Sequence, residues 1–231
     1  MSAHFENRAL VVPGDILYEG RIRAGNNTYR MGGKVYATHV GLVEYGRGVV
    51  SVIALEAGYT PMVGDTVIGY IVDIDVGQWI VDINAPMNAV LKVPDAMEVP
   101  FTPDLVMTDF LDVGDTIVAK VVDLDRKRTP ILSILGGELG RVDEGLVVEM
   151  TPSKVPRLIG KKGSMVSMIL KETGCRLVIG ENGRILIQCA NREDEELIVS
   201  IIRKIEREAH TTGLTNRVHD YIMRMRGVKN G

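Results

Sequence analysis

Two pairs of aspartates are the arrangement in this sequence that comes closest to an enzyme active site. Asp73 and Asp75 end one stretch of apolar residues, and Asp123 and Asp125 end another. Residues two apart in a β-strand lie on the same face, so each pair brings together two carboxylates that can bind Mg²⁺ or act as acid and base. Solvated aspartate is also common at strand ends, and no phosphate-binding loop, nucleophile elbow or dinucleotide fingerprint accompanies these pairs. We therefore expect a protein without catalytic residues.

The cysteines and histidines do not have the spacing of a metal site. The four histidines are scattered, and Cys175 and Cys189 are not part of a C-x-x-C motif, so we expect no metal and no cofactor. Asn182-Gly183 predicts a two-residue hairpin turn, whose register would set Cys175 opposite Ala190. Cys189 would then lie opposite Arg176, and the two thiols would point to opposite faces of the sheet. This pattern predicts a reduced, cytoplasmic protein without a disulfide.

The sequence Gly160-Lys161-Lys162-Gly163 lies between two predicted helices and has the features that binding of a phosphate backbone requires. The glycines remove side chains that would block the close approach of a sugar–phosphate chain. The lysines add positive charge, and the helix that starts at Ser164 offers free backbone amides. The motif predicts a nucleic-acid site, and a tight helix–helix turn with two solvated lysines is the alternative.

The residues around this motif have the composition of a groove for unstacked bases. The candidates for its apolar floor are Leu158, Ile159, Val166, Ile169 and Ile179. The candidates for its basic rim are Arg157, Arg176 and Arg184. For Ile169 and Leu170, a place in the domain core is the favoured interpretation.

Basic residues are distributed unevenly along the chain. Residues 151–231 contain 15 Lys and Arg against 9 Asp and Glu, whereas residues 1–150 contain 12 against 21. The basic C-terminal part is the electrostatic candidate for binding phosphates. Within the acidic part, Arg126-Lys127-Arg128 is the densest basic run, and we interpret it as a second nucleic-acid contact. A solvated turn is the alternative for this run.

The residue pattern divides the chain into three parts. Short Val- and Ile-rich runs separated by Gly-rich turns predict an all-β domain over residues 1–61. Residues 62–143 predict five strands, with a short helix that starts at Thr102-Pro103-Asp104 before the fourth, as in an OB-fold β-barrel. Residues 144–231 predict an α+β domain of order β-α-α-β-β-α with a further amphipathic segment at its end. The predicted fold class is therefore multidomain.

Two of these parts resemble known RNA-binding domains. Residues 145–210 resemble the KH family, because the G-x-x-G loop lies between the helices of a β-α-α-β-β-α unit. Residues 62–143 resemble the S1 domain, an OB fold, through Val63-Gly64-Asp65 and the segment 77–82. In that family the second strand carries an exposed aromatic residue on which bases stack, and Trp79 matches that position. An anchor in the barrel core is the alternative for Trp79.

The order of an N-terminal β domain, an S1 barrel and one KH domain is similar to that of the archaeal exosome cap subunit over all 231 residues. This resemblance implies a non-catalytic subunit, three copies of which cap a ring of phosphorolytic ribonuclease heterodimers. The subunit would recruit single-stranded RNA, above all adenine-rich tails, for 3′-to-5′ degradation. Its N-terminal domain would dock on the ring, and its barrel would hold Arg126, Lys127 and Arg128 near passing RNA.

A stand-alone RNA-binding regulator of translation or transcription is the alternative function. A membrane partner is not expected, because the sequence has no apolar run of about 18 residues.

Overall fold

The computed structural model describes residues 2–55, 58–209, 211 and 213–227. The chain forms two compact units, Met1–Ala57 and Gly58–Gly231. Among the described residues, no helix has the length and apolar character needed to cross a membrane.

The N-terminal unit consists of strands, which confirms the predicted all-β fold. Its strands are β1 (Ser2–Ala3), β2 (Leu10–Val11), β3 (Ile16–Glu19), β4 (Arg23–Ala24), β5 (Thr28–Met31), β6 (Lys34–Ala37), β7 (Gly41–Gly46) and β8 (Val49–Ala54). They form two sheets of order β1-β3-β6-β5 and β2-β7-β8-β4. Alternate residues, such as Val50 and Val52 in β8, point inward and form a small aliphatic core.

The second unit begins with a closed barrel, as expected for an OB fold. Its strands are β9 (Thr66–Asp75), β10 (Gln78–Asp82), β11 (Ala89–Lys92), β12 (Thr116–Leu124) and β13 (Pro130–Ser133), with the short β14 (Gly140–Arg141) at the edge. The order is β13-β11-β10-β9-β12-β14, and pairing of β13 with β12 closes the barrel. Helix α1 (Val93–Met97) follows β11.

The predicted helix start at Thr102-Pro103-Asp104 is wrong. These residues form a turn in which the Leu105 amide donates to the Thr102 carbonyl at 3.1 Å. Two helical segments lie between the third and fourth strands of the barrel, helix α1 (Val93–Met97) and a single 3-10 turn, Met107–Asp109. The Met107 side chain of the 3-10 turn is buried in the barrel core.

The C-terminal domain of the second unit has the predicted order β-α-α-β-β-α. It comprises β15 (Leu146–Glu149), α2 (Val155–Ile159), α3 (Ser164–Thr173), β16 (Arg176–Ile179), β17 (Arg184–Gln188), α4 (Arg192–Glu208) and a further helix, α5 (Leu214–Gly227). The Asn191 side chain caps α4 by accepting the Asp194 amide at 2.8 Å. Isoleucines 198, 201, 202 and 205 form the buried stripe of α4, against which α5 packs.

The hairpin of β16 and β17 has a different register from the predicted one. Arg176 pairs with Gln188, and the Gly180 amide donates to the Arg184 carbonyl at 2.9 Å. The turn therefore holds three residues, with Gly183 at φ +83°, rather than two. One extra residue in the turn shifts the pairing by one and brings the two cysteines opposite each other.

The prediction of unpaired cysteines is consequently wrong. Cys175 and Cys189 form a disulfide with an S–S distance of 2.05 Å. The bond lies at the open end of the hairpin, where it joins the segment after α3 to the segment before α4. It closes a covalent loop around the hairpin of the C-terminal domain.

The C-terminal domain packs on the barrel through the face of its sheet. Leu186 of β17 is buried against Ile68 of β9 and Val118 of β12. Four partly buried residues surround this cluster: Leu139, Val142, Val147 and Val178. Barrel and C-terminal domain thus share a continuous apolar contact within one unit.

Candidate nucleic-acid interface

The loop Gly160–Gly163 has a backbone shape that few side chains tolerate. It leaves α2 with Gly160 at φ +75°, and Lys162 and Gly163 follow at φ +54° and +78°. A Cβ atom on Gly160 would lie 2.7 Å from the backbone nitrogen of Met165, inside the first turn of α3. Glycine at this position therefore lets the loop close against α3, and it leaves both lysines exposed.

The loop delivers positive charge to the N-terminus of α3. The loop forms a 3-10 turn, Lys161–Gly163, in which the Gly163 amide donates to the Gly160 carbonyl at 3.2 Å and the Ser164 amide donates to the Lys161 carbonyl; Ser164 then begins α3. Lys161 and Lys162 form no ion pair with any part of the chain that the structure describes. The positive end of a helix dipole and two unpaired ammonium groups converge here, and both attract phosphate.

The apolar residues predicted to line a base groove differ in exposure, and two of them, Val166 and Ile179, are half-buried. Leu158 and Ile169 are 0% exposed and belong to the core, which confirms the interpretation of Ile169 as a packing residue. Ile159 is 36% exposed at the end of α2, next to the exposed Arg157. Ile159 and Arg157 are thus available beside the loop, whereas Leu158 is not.

Of the other two rim candidates, Arg176 is exposed and Arg184 is not. Arg176 lies 3.5 Å from the Glu138 carboxylate. The Arg184 side chain is only 5% exposed and points into the junction between the C-terminal domain and the barrel. The prediction of Arg184 as a rim residue is wrong, because Arg184 lies two residues before Leu186 on the face of the sheet that packs against the barrel.

The basic run of the barrel lies in the turn between β12 and β13. Arg126, Lys127 and Arg128 are all exposed and form no ion pair with the described residues. The Asp125 carboxylate accepts the amides of Lys127 at 2.7 Å and Thr129 at 2.8 Å, which holds the turn. Its hydrogen bond with Thr129, above all, lowers the pKa of Asp125. The three cations therefore project from an ordered turn.

Trp79 is part of the barrel core, so the prediction that it stacks on bases is wrong. Its side chain is 0% exposed, its Nε1 donates to the Leu111 carbonyl at 2.9 Å, and its ring lies 5.8 Å from that of Phe110. Strand β10 alternates between buried and half-buried residues, and Trp79 shares its buried face with Val81. The alternative interpretation, an anchor of the barrel, is confirmed.

The paired aspartates accept hydrogen bonds from neighbouring backbone amides. Asp73 and Asp75 are exposed, and each accepts the amide of the next residue, at 2.8 Å and 2.7 Å. Asp123 does the same for Leu124 at 2.8 Å. Among the described residues, no group of three or more His, Cys, Asp or Glu could hold a metal ion.

The sequence analysis missed a polar junction formed by the hairpin tip, residues Gly180–Arg184. Asn182 is 0% exposed; its amide donates to the carbonyls of Ile68 at 2.8 Å and Ile83 at 3.0 Å in the barrel. Arg184 donates to the Asp82 carboxylate at 2.6 Å and to Glu149 at 2.9 Å. An Asn-Gly turn is normally solvated, so nothing in its composition signals that this one is buried.

The comparisons with known proteins give the family. The exosome complex component Rrp4 of Sulfurisphaera tokodaii is 40% identical over 222 residues, which cover 95% of this chain and 90% of that protein. Its counterpart in Thermococcus kodakarensis is 44% identical, over 96% of this chain and 88% of that protein. The chain belongs to the Rrp4 family.

Each of the three parts of the chain matches a family model. Residues 8–56 match the N-terminal domain of the exosome RNA-binding protein RRP4, residues 58–123 match the RRP4 S1 domain, and residues 146–204 match the KH domain. A crystal structure described as an exosome complex RNA-binding protein is 42% identical and superposes with a TM-score of 0.71. It covers 75% of this chain, and this chain covers 99% of it.

Proposed function

We propose that this chain is a non-catalytic RNA-binding subunit of an archaeal exosome. It recruits single-stranded RNA, with adenine-rich tails as the expected substrates, and raises the efficiency of 3′-to-5′ degradation by a phosphorolytic ring. Residues 1–61 serve docking, and residues 62–143 and 144–231 serve RNA binding. Three copies per ring and a cytoplasmic location are part of this proposal.

The observation that carries the proposal is the pair of ordered basic loops on one compact unit. The Gly160–Gly163 loop presents two lysines at the N-terminus of α3, and the Arg126–Arg128 turn presents three cations. None of these five side chains is neutralised by a carboxylate of the described residues. Unpaired cations held on rigid loops bind phosphates and release counterions, as single-stranded RNA binding requires.

The lysines provide a cleaner test than the glycines, because a side chain at Gly160 would disturb α3. In the Lys161→Gln/Lys162→Gln variant we expect weaker binding of single-stranded RNA. The slope of log affinity against log salt should become shallower by about 0.7 for each phosphate that the loop no longer binds. Fluorescence anisotropy over a salt series measures both quantities.

Lys171→Gln is the matched control, since Lys171 is exposed on the same helix, α3, at its other end. We expect this variant to keep the affinity and slope of the wild type. Equal affinity and slope in the double lysine variant and the wild type would contradict a role of the loop in RNA binding.

An exposed apolar face of the N-terminal unit supports docking on a protein partner. Leu10 pairs with Leu42, and Leu42 with Ile53, so the three side chains form one row across β2, β7 and β8. The same face continues with Val12 and Val40. The exposed fractions are 59% for Leu10, 49% for Val12, 45% for Val40 and 40% for Ile53. A contiguous apolar face of this kind is typical of a protein–protein contact.

Substitution within this face tests whether it docks on the ring. In the Leu10→Thr/Ile53→Thr variant, threonine preserves strand propensity but offers a partner less apolar surface. We expect reduced recovery with co-expressed ring subunits, measured by native mass spectrometry. Leu146→Thr is the control, because Leu146 is 41% exposed on a strand of the other unit. Ring assembly of the double variant at the wild-type level would exclude this face.

Co-purification also separates the two functional classes. A stand-alone regulator would be recovered without any ribonuclease subunit, whereas an exosome subunit would be recovered with the ring. A disulfide and an intracellular location occur together in proteins of hyperthermophilic archaea, which are an exception to the rarity of cytosolic disulfides.

A further inference from the structure

A small pocket lies at the end of the barrel beside the basic turn. Its volume is about 190 Å³, and its lining is mainly apolar. The lining residues are Thr60, Pro61, Ala85, Pro86, Met87, Arg128 and Pro130. Sites for drug-sized ligands usually measure about 300–1,000 Å³, so this pocket suits a smaller group.

Hydrogen bonds hold each wall of the pocket in place. The wall with Arg128 is held by Asp125, whose carbonyl accepts the Arg128 amide at 2.9 Å. The wall with Pro86 and Met87 follows Asn84, whose side-chain amide donates to the Asn182 carbonyl at 2.9 Å in the hairpin tip. A pocket with fixed walls loses little conformational entropy when it binds a ligand.

The third wall is equally constrained. Thr60 and Pro61 lie between Tyr59 and Met62, and both neighbours donate to the Asp65 carboxylate, at 2.7 Å and 2.9 Å. Asp65 thereby fixes the short segment that enters the barrel.

The chemistry of the pocket fits a flat, uncharged ring with a phosphate next to it. The proline rings and the Met87 side chain offer apolar surfaces, and the Arg128 guanidinium can stack on a ring or donate to its edge. Arg126 and Lys127 extend from the same turn and supply charge for the adjoining phosphates. With Trp79 in the core, the second strand offers no indole for stacking, so a base must find its contact elsewhere.

We propose that this pocket binds one unstacked nucleobase of single-stranded RNA, with the flanking phosphates on Arg126 and Lys127. The inference rests on the proposed RNA-binding function and adds a specific site to it. The barrel would then contribute recognition of a base as well as electrostatic attraction.

A comparison of normal and abasic RNA tests the pocket. The two oligonucleotides have the same length and the same phosphates, and differ only in their bases. Met87 is 43% exposed, so Met87→Ala removes one wall without opening the core. We expect this variant to bind the base-bearing RNA about fivefold more weakly, which is close to the lower end of one full stacking contact. Its affinity for abasic RNA should equal that of the wild type.

Met223→Ala is the matched control, because Met223 is 42% exposed on α5 and far along the chain from the barrel. It should bind both RNAs like the wild type. If Met87→Ala leaves affinity for base-bearing RNA unchanged, or weakens binding of both RNAs equally, the pocket proposal is overturned. Failure of the wild-type chain to bind either RNA would instead overturn the proposed function itself, and the pocket with it.

Discussion

Arg184 shows how a single residue joins two domains. Its guanidinium lies 4.4 Å above the Tyr70 ring and bonds the carboxylates of Asp82 and Glu149, one from the barrel and one from β15. Burial alone would lower the pKa of Arg184, but the hydrogen bonds with the two carboxylates outweigh it and the pKa rises. The Arg184 side chain therefore stays charged and pairs with both carboxylates.

We predict that Arg184→Met lowers the free energy of unfolding by about 2 kcal/mol, measured by urea denaturation. The substitution keeps apolar volume but removes the Arg184 donors from the Asp82 carbonyl and from one oxygen of the Asp82 carboxylate. Asp82 and Glu149 are 35% and 57% exposed, so water solvates part of their charge and limits the loss.

The control for Arg184 is Arg192→Met, whose side chain is 88% exposed and pairs with Glu196 on the surface of α4. We expect it to change stability by less than about 0.5 kcal/mol. Similar losses in the two variants would mean that the junction contributes no more than a surface ion pair.

At the residue scale, the sequence indicated local chemistry better than it indicated burial. The Gly160–Gly163 loop was recognisable because its glycines and lysines act through the backbone and through charge. Trp79 was ambiguous because its family position suggested exposure. Its alternation with Val81 on β10 was the signal for burial, since one face of a barrel strand points inward. Arg184 gave no such signal, because its partners are distant in the sequence.

At the scale of elements, the β16–β17 hairpin shows how a turn determines covalent structure. A three-residue turn aligns Cys175 with Cys189, and a two-residue turn would have separated them. Both turns fit an Asn-Gly sequence, and the choice depends on how the hairpin tip meets the barrel. The order of strands and helices was predictable from periodicity, whereas this register was not.

We predict that reduction of the disulfide lowers the stability of the C-terminal domain by about 3 kcal/mol. The cysteines are 14 residues apart, and the bond limits the freedom of that loop in the unfolded chain. Urea midpoints with and without reductant measure the effect. A Cys175→Ala/Cys189→Ala variant should not respond to reductant. Detection of two free thiols in the oxidised, denatured wild type would refute the bond.

The contact of α4 with α5 should depend on pH. Hydrogen bonds from Lys204, and next from Arg217, lower the pKa of Glu208 from 4.5 to about 2. A lowered pKa means that the stabilisation is complete above the unfolded value and is lost as the pH falls toward the folded one. We expect amide protection in α5 to decrease over this acid range, as measured by hydrogen exchange. In the Glu208→Gln variant, amide protection in α5 should depend less on pH than in the wild type. A pH profile identical to that of the wild type would argue against the ion pairs of Glu208 with Lys204 and Arg217.

At the scale of the molecule, the hairpin tip couples the folding of two domains. Asn182 makes three hydrogen bonds with barrel backbone groups, and its side chain is inaccessible to water. We predict that Asn182→Ala costs about 1–3 kcal/mol, because buried groups of Ile68 and Ile83 are left without their partner. Hydrogen exchange should show the same loss of protection in the barrel strands and in the C-terminal sheet. A loss confined to the C-terminal domain would indicate that the two domains unfold independently.

The buried hairpin tip also fixes the distance between the two basic loops of the second unit. Because barrel and C-terminal domain are joined by packing and by the Asn182 and Arg184 contacts, the span between their two basic loops is set by the fold rather than by a linker. An RNA long enough to reach both loops gains from a high effective concentration at the second one, and a shorter RNA does not. Affinity should therefore rise in a step at one threshold of RNA length, so that the unit distinguishes a tail by the number of its nucleotides.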